Sequence, residues 1–209
     1  MKTKLKPVKI DLYAEHRNDY VTPKTPAIVN VPRAYYLGIE GQGAPGSEAF
    51  TDAVGALYAV AFTVKMTKKA AGVEYNVSKL EALWWVDPHP AGADFLSTPR
   101  DSWHWKLLIR TPDVVTKSDL SAAVKSLLAK GKPKTVQRVE RFALTEGQCV
   151  QMLHVGPYAD EPASIGRMVE FTRGQGLHLR GTHHEIYLSD PRRVTAEKLK
   201  TILRIPVGT

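Results

Sequence analysis

Trp84-Trp85-Val86-Asp87-Pro88 ends one stretch of this 209-residue chain, and Tyr187-Leu188-Ser189-Asp190-Pro191 ends another. In each, a run favouring extended structure is halted by a proline, which cannot donate to a sheet ladder, so each reads as a strand with a hard stop. The surroundings match as well. Ahead of the first lie a strand at Arg33–Glu40, a Gly/Pro loop at Gly41–Gly46 and a helix entered at Ser47, whose Phe50, Val54, Leu57, Tyr58, Ala61 and Val64 share one face to about Lys68. Ahead of the second lie a strand at Gln148–Val155, a turn at Gly156–Tyr158, and a helix opened by Asp160 and Pro162 that runs through Ile165, Met168, Val169 and Thr172 to Gly174 and Gly176. Tyr36 to Pro88 and Val150 to Pro191 therefore superpose by pattern as two strand-helix-strand units. Each half would bury one face of its small sheet by meeting its twin, and a cleft would form along the pseudo-twofold seam.

The remaining segments read as follows. Residues 1–32 are polar and Pro-rich, an arm draped on the domain with one strand at Ala27–Val31. Residues 33–209 form the domain, in two repeats of about 33–130 and 134–209. Val73–Val77 and Leu80–Val86 are strands, Asp87–Asp101 is a loop, and Trp103–Arg110 alternates Trp103, Trp105, Leu107 and Ile109 along one face of a strand. Ser118 caps a helix carrying Leu120, Val124, Leu127 and Leu128, stopped by Gly131 and Pro133. Val136–Leu144 and Leu179–Leu188 are strands, and a helix at about Thr195–Leu203 closes the chain.

Composition excludes several classes. A single cysteine, Cys149, forms no internal disulfide and supplies no Cys-based metal site, which fits a reducing compartment. The longest apolar stretch, Ala53–Val64, is short of the ~20 residues of a membrane span. With no secretory signal in Met-Lys-Thr-Lys-Leu-Lys, a cytoplasmic, non-membrane protein is expected. Net charge is +8, but the lysines and arginines gather in loops and ends, and nothing resembles a recognition helix, zinc finger or basic zipper; no nucleic-acid partner is expected.

The sharpest local feature is His183-His184-Glu185-Ile186-Tyr187, inside an otherwise apolar strand. By the period of two, His183, Glu185 and Tyr187 share a face and His184, Ile186 and Leu188 take the other. If the Ile186/Leu188 face meets the helices, Glu185 still lies mid-sheet beside aromatics, where its charge needs a cationic or hydrogen-bond-donating partner. Such a carboxylate could hold a cationic ligand or act as a general base. It could equally be a surface residue or the partner of Arg180. A metal reading would use His183 and Glu185 with His154, but there is no HExxH spacing and zinc sites generally need three well-placed protein ligands, so no metal or cofactor is expected. Of the four indoles, adjacent Trp84 and Trp85 must face opposite ways, one into the core and one onto a cleft wall. Cys149 reads as an inert buried thiol, and the Gly41–Gly46 loop lacks the Lys-Ser/Thr of a phosphate loop.

The run Glu146-Gly-Gln-Cys-Val-Gln-Met-Leu-His154-Val-Gly-Pro-Tyr158, then Glu161, then His183-His-Glu185-Ile-Tyr-Leu-Ser-Asp-Pro-Arg192, with Leu80-Glu-Ala-Leu-Trp-Trp85 and Trp103-His-Trp105-Lys-Leu, resembles the GyrI-like small-molecule-binding family, in particular its stand-alone branch that includes cyclopropanoid hydrolases. The resemblance implies an α+β fold of duplicated strand-helix-strand-strand units with antiparallel sheets and a ligand groove at their junction. It implies a hydrophobic aromatic small molecule as partner and the protein itself as a monomer or weak dimer. It places Glu185 where the family has a groove glutamate that meets cationic, lipophilic compounds. In the branch that hydrolyses cyclopropane-bearing DNA alkylators, Glu185 would deprotonate a water while Tyr158 or Tyr187 steadies the phenolate formed. Trp84, Trp105, Tyr187 and His183 would contact the ligand. The alternative is a non-catalytic protein that sequesters drugs or inhibits a target such as DNA gyrase through the same groove.

Overall fold

The structure, a computed structural model, describes residues 8–87 and 97–209. Pro88, most of the Asp87–Asp101 loop and the first lysines lie outside the described residues. The chain runs β1 (Val8–Ile10), α1 (Leu12–Glu15), β2 (Ala27–Val31), β3 (Ala34–Gln42), α2 (Glu48–Ala70), β4 (Val73–Tyr75), β5 (Leu80–Trp85), β6 (His104–Thr111), α3 (Lys117–Ala129), β7 (Glu140–Leu144), β8 (Gly147–Val155), α4 (Glu161–Gly174), β9 (His178–Leu179), β10 (His183–Tyr187) and β11 (Lys200–Gly208). Local chemistry explains the helix entries. Ser47 accepts from the Phe50 N–H at 3.3 Å to start α2. Thr116, not Ser118, caps α3, in a capping box with Asp119.

All strands except β1 and β4 join one antiparallel sheet in the order β2-β8-β11-β10-β5-β6-β3-β7, with β9 pairing β11. β1 and β4 form a separate parallel pair. From β8 to β3 the order reads alike from either end, with β3, β5 and β6 answering to β8, β10 and β11. These two sets of strands meet edge to edge at β5 and β10, where Glu185 lies opposite Ala82 and His183 opposite Trp84. The sheet thus continues through the seam, whereas the sequence suggested two small sheets packed on each other.

Both long helices lie on one face of this sheet. α2 sets Ala53, Leu57, Val60, Ala61 and Val64 against Leu37, Ile39, Trp105, Leu107 and Ile109, while Ile165 and Met168 of α4 pack on Val150, Met152, Leu203 and Ile205. By length and mean hydropathy (1.2) α2 would pass for a membrane span. It serves here as a core helix, with one face on the sheet.

Two further parts of the reading change. The predicted helix at Thr195–Leu203 is a short 3-10 turn at Ala196–Lys198 followed by the nine-residue strand β11. Thr201, Ile202, Ile205 and Val207 favour extended backbone, Pro206 removes a helix N–H, and pairing to β8 and β10 buries both faces. The 1–32 arm is less peripheral than expected. Its β2 pairs with β8, and the turn Arg17–Tyr20 tucks Asp19 beneath the sheet, 4% exposed.

Candidate functional site

On the helix-bearing face, α2 and the start of α4 flank a cavity of about 940 Å³ above the β5–β10 seam. Phe50, Val54 and Tyr58 of α2 form one wall, Tyr158, Glu161 and Pro162 the opposite one, and Trp84, Glu185 and Tyr187 the floor. The sheet's period of two sets that floor, since Glu185 shares its face with Tyr187 and His183 and stands opposite small Ala82. This is also the face that meets the helices, contrary to the supposition that Ile186 and Leu188 do. The aromatic rings hold one another. Phe50 stacks on Trp84 at 5.8 Å between centroids, Trp103 meets Trp84 edge-on at 5.7 Å, and Tyr158 meets Tyr187 edge-on at 5.9 Å. Trp84 Nε1 donates to the Tyr187 hydroxyl at 3.3 Å, and that hydroxyl donates onward to Glu185 Oε2 at 2.7 Å.

Glu185 is 8% exposed, and its other oxygen lies 3.3 Å from His183 Nε2. Burial pushes its pKa up, but His183, the Tyr187 hydroxyl and a hydrogen bond from Glu161 outweigh that and hold the carboxyl below its ordinary value. Glu161 behaves oppositely. Burial first, then the charge of Glu185 and the hydrogen bond to it, push its carboxyl up to about 10. The cavity therefore holds one carboxyl shifted toward its ionised form and one shifted toward its protonated form. Tyr158 is pushed up to about 12 by burial and by the same two acids, so it stays a neutral hydroxyl donor. A carboxylate desolvated among aromatic rings can neutralise an organic cation or accept a proton from water.

The sequence-derived residues do not all reach this space. Glu185, Tyr158, Tyr187 and Trp84 line it. His183 is fully buried behind Glu185, where it orients that carboxylate and does not line the cavity. Trp105 is also fully buried, in the core beneath Phe50, because Gly41 across from it on β3 has no side chain; a Cβ there would fall inside the indole. Trp103 lines the cavity in its place. His154, considered as a metal ligand, is engaged elsewhere, with Ser164 Oγ at 2.9 Å and the Pro157 carbonyl at 3.1 Å. Cys149 is buried and pushed up to about 12 by burial, in keeping with an inert thiol. Phe50, Tyr58 and Glu161 were not singled out as site residues. The signal for the first two was their i, i+8 spacing on α2; for Glu161 it was a carboxylate at the head of a helix beside Pro162.

The opposite face of β10 carries a second buried polar cluster. His184 contacts Glu146 through Nδ1 and Glu81 through Nε2, both at 3.0 Å. Arg204 donates to Glu146 and Gln151, each at 2.7 Å, and Arg110 to Asp19 at 2.7 Å. Burial opposes charge on His184, but its two carboxylates outweigh it and push the imidazole up to about 9. Glu146 is held at about 2, burial being outweighed by His184 and Arg204. Every one of these groups is answered by another protein group.

Comparison with known proteins follows the same lines. The family described as the GyrI-like small molecule binding domain matches residues 24–208. An uncharacterized conserved protein from Listeria innocua of solved structure is 38% identical, with a TM-score of 0.86 over 95% of this chain and 100% of its own. A hydrolase from Listeria innocua is 36% identical, with a TM-score of 0.83 over 95% of this chain and 100% of its own. Another structure from that organism, also a hydrolase, is 36% identical, with a TM-score of 0.85 over 96% and 100%. No curated protein sequence matches the chain.

Proposed function

The chain belongs to the GyrI-like small-molecule-binding family, and we propose that it takes flat, hydrophobic, polycyclic molecules, cationic or electrophilic, into its aromatic cavity and hydrolyses cyclopropane-bearing DNA alkylators there, as a detoxification step. The observation that carries this reading is the buried Glu185 carboxyl, met by Tyr187 and His183, on the floor of a cavity lined by Phe50, Tyr58, Trp84, Trp103, Tyr158 and Tyr187. Full-length similarity to two hydrolases supports catalysis over binding alone. On this reading the palindromic strand order is a duplicated unit with a pseudo-twofold axis at the β5–β10 seam, and the cavity is its ligand groove.

The chemistry asks little of the protein. A water held by Glu185 gives its proton to the carboxylate as its oxygen bonds to the cyclopropane methylene. The strained carbon–carbon bond breaks, and its electron pair passes into the ring system to leave a phenolate, steadied by the Tyr158 hydroxyl, whose raised pKa keeps it a donor. The proton held by Glu185 then passes to the phenolate oxygen, so substrate plus water gives the ring-opened alcohol and phenol. Tyr187 donates to Glu185 throughout, and His183 fixes the other carboxylate oxygen.

The test is turnover. Substoichiometric protein incubated with a cyclopropane alkylator is expected to yield many equivalents of ring-opened product by mass spectrometry. Release of no product, with at most one equivalent of compound bound, would replace the hydrolase with a drug-sequestering protein.

A further inference from the structure

The hydrolysis outlined above leaves one acid of the cavity idle. Glu161, the first residue of α4, is 5% exposed and lines the same cavity as Glu185, and its Oε1 meets no donor among the described residues. Glu185 lies on the floor of the same cavity. A carboxyl enclosed without a donor keeps its proton, because burial disfavours the charged form. His183 and Tyr187, both on β10, stabilise charge on Glu185, whereas Glu161 is enclosed at the head of α4. Among the other neighbours, Tyr158 is a neutral phenol, α2 contributes Phe50, Thr51, Val54, Gly55 and Tyr58 with no ionised side chain, and Thr201 of β11 is uncharged. The lining also carries the full charges of Asp190, Arg192, Lys79 and Arg100. Asp190 is held by Arg192 in a pair of bonds at 3.0 and 2.9 Å.

With Glu185 held in its charged form by His183 and Tyr187 and Glu161 enclosed without a donor, the two carboxyls carry one negative charge between them. From this we infer that the cavity reads ligand charge: a singly charged aromatic cation binds with Glu161 still protonated, and a doubly charged one binds by expelling the Glu161 proton. The inference rests on the cavity being an organic-cation site but not on catalysis. A single positive charge is already matched by Glu185. A second one within about 4–6 Å of Glu161 favours its ionised form by about 1–3 pH units, and the first charge adds to that, enough to bring its titration near neutrality. Binding of the dication then gains strength as pH rises, by up to about tenfold per unit for one proton released. Binding of the monocation does not.

Ethidium and propidium supply the probes, since both carry the same phenanthridinium ring and propidium adds one quaternary ammonium on a short tail. Calorimetry at pH 8 in two buffers of different ionisation enthalpy counts the protons released. We expect none with ethidium and about half to one per propidium, and a propidium-to-ethidium affinity ratio that rises about tenfold or more from pH 6 to pH 8. Glu161→Gln should abolish the release and flatten the ratio. Propidium bound without proton release, a ratio that does not move with pH, or release that survives in Glu161→Gln would overturn the inference. The wild-type ratio decides the matter even if the variant folds poorly. If neither dye binds, the cation-site reading itself falls; if both bind with no difference in protons, that reading stands and only the role of Glu161 is lost.

Discussion

The two faces of β10 hold the same kinds of side chain in opposite circumstances. On one, His184 is clamped between Glu146 and Glu81, and Arg204 fills the remaining oxygen of Glu146. On the other, Glu185 also has a histidine and a second glutamate beside it, but it opens onto about 940 Å³ of aromatic-walled space. Buried charge alone therefore does not mark a site. What distinguishes Glu185 is that its neighbours hold its carboxyl below its ordinary value without filling the space in front of it, whereas the His184 cluster is closed on all sides and joins β5, β8, β10, β11 and the N-terminal arm.

The contrast breaks most visibly at Glu146. Glu146→Gln leaves Arg204 and the His184 imidazolium without their shared counter-charge, and should cost about 3–5 kcal/mol in urea unfolding while the cavity's ligand affinity is retained where the protein stays folded. An equal loss from Glu185→Gln would erase the distinction.

A pH series sharpens it. His184 has its folded pKa raised to about 9 from an unfolded value near 6.5, so its contribution is complete below about pH 6.5 and is lost as pH rises through 9. Glu146 is depressed to about 2, so its contribution is present above about pH 4.5 and is lost as pH falls through 2. Stability from this cluster should be greatest between about pH 5 and 6.5 and decline by roughly 3 kcal/mol toward pH 10, and His184→Gln should flatten the alkaline limb in chemical denaturation. An unchanged limb would mean that the imidazole is neutral.

The smallest change in stability belongs to Glu185→Gln, under about 1 kcal/mol, because a glutamine oxygen still accepts from the Tyr187 hydroxyl. Its effect is expected on rate instead, with a loss of about 100-fold or more in ring opening and little change in ligand affinity from stacking. Equal rates would remove Glu185 as the base.

The sequence showed much of this and missed the rest for definable reasons. Period-two reading grouped His183, Glu185 and Tyr187 correctly, because strand geometry alone decides it. Which of the two groups faces the helices was not legible, since both faces of β10 are polar and the N-terminal arm that covers the other one is remote in sequence: Asp19 offers its backbone carbonyl to Arg204 across 185 positions. Trp103 and Trp105 share a strand face and look equivalent. Only the cross-strand partner Gly41, invisible to local reading, sends Trp105 into the core. The final strand was mistaken for a helix because its burial on both faces by β8 and β10 removes the alternation by which strands are recognised. Glu161 looked like an ordinary first-turn carboxylate until the fold set it against Glu185.

Where a flat aromatic cation comes to rest decides whether Glu185 marks the ligand site, and a crystal structure of the protein with ethidium shows that directly. The predicted result is a dye enclosed between Phe50, Tyr58 and Tyr158, its ring nitrogen side toward Glu185, with the Glu146–His184–Arg204 cluster unchanged beneath the sheet. A dye seated anywhere else, with the cavity above β5 and β10 empty and Glu185 touching no ligand atom, would contradict it.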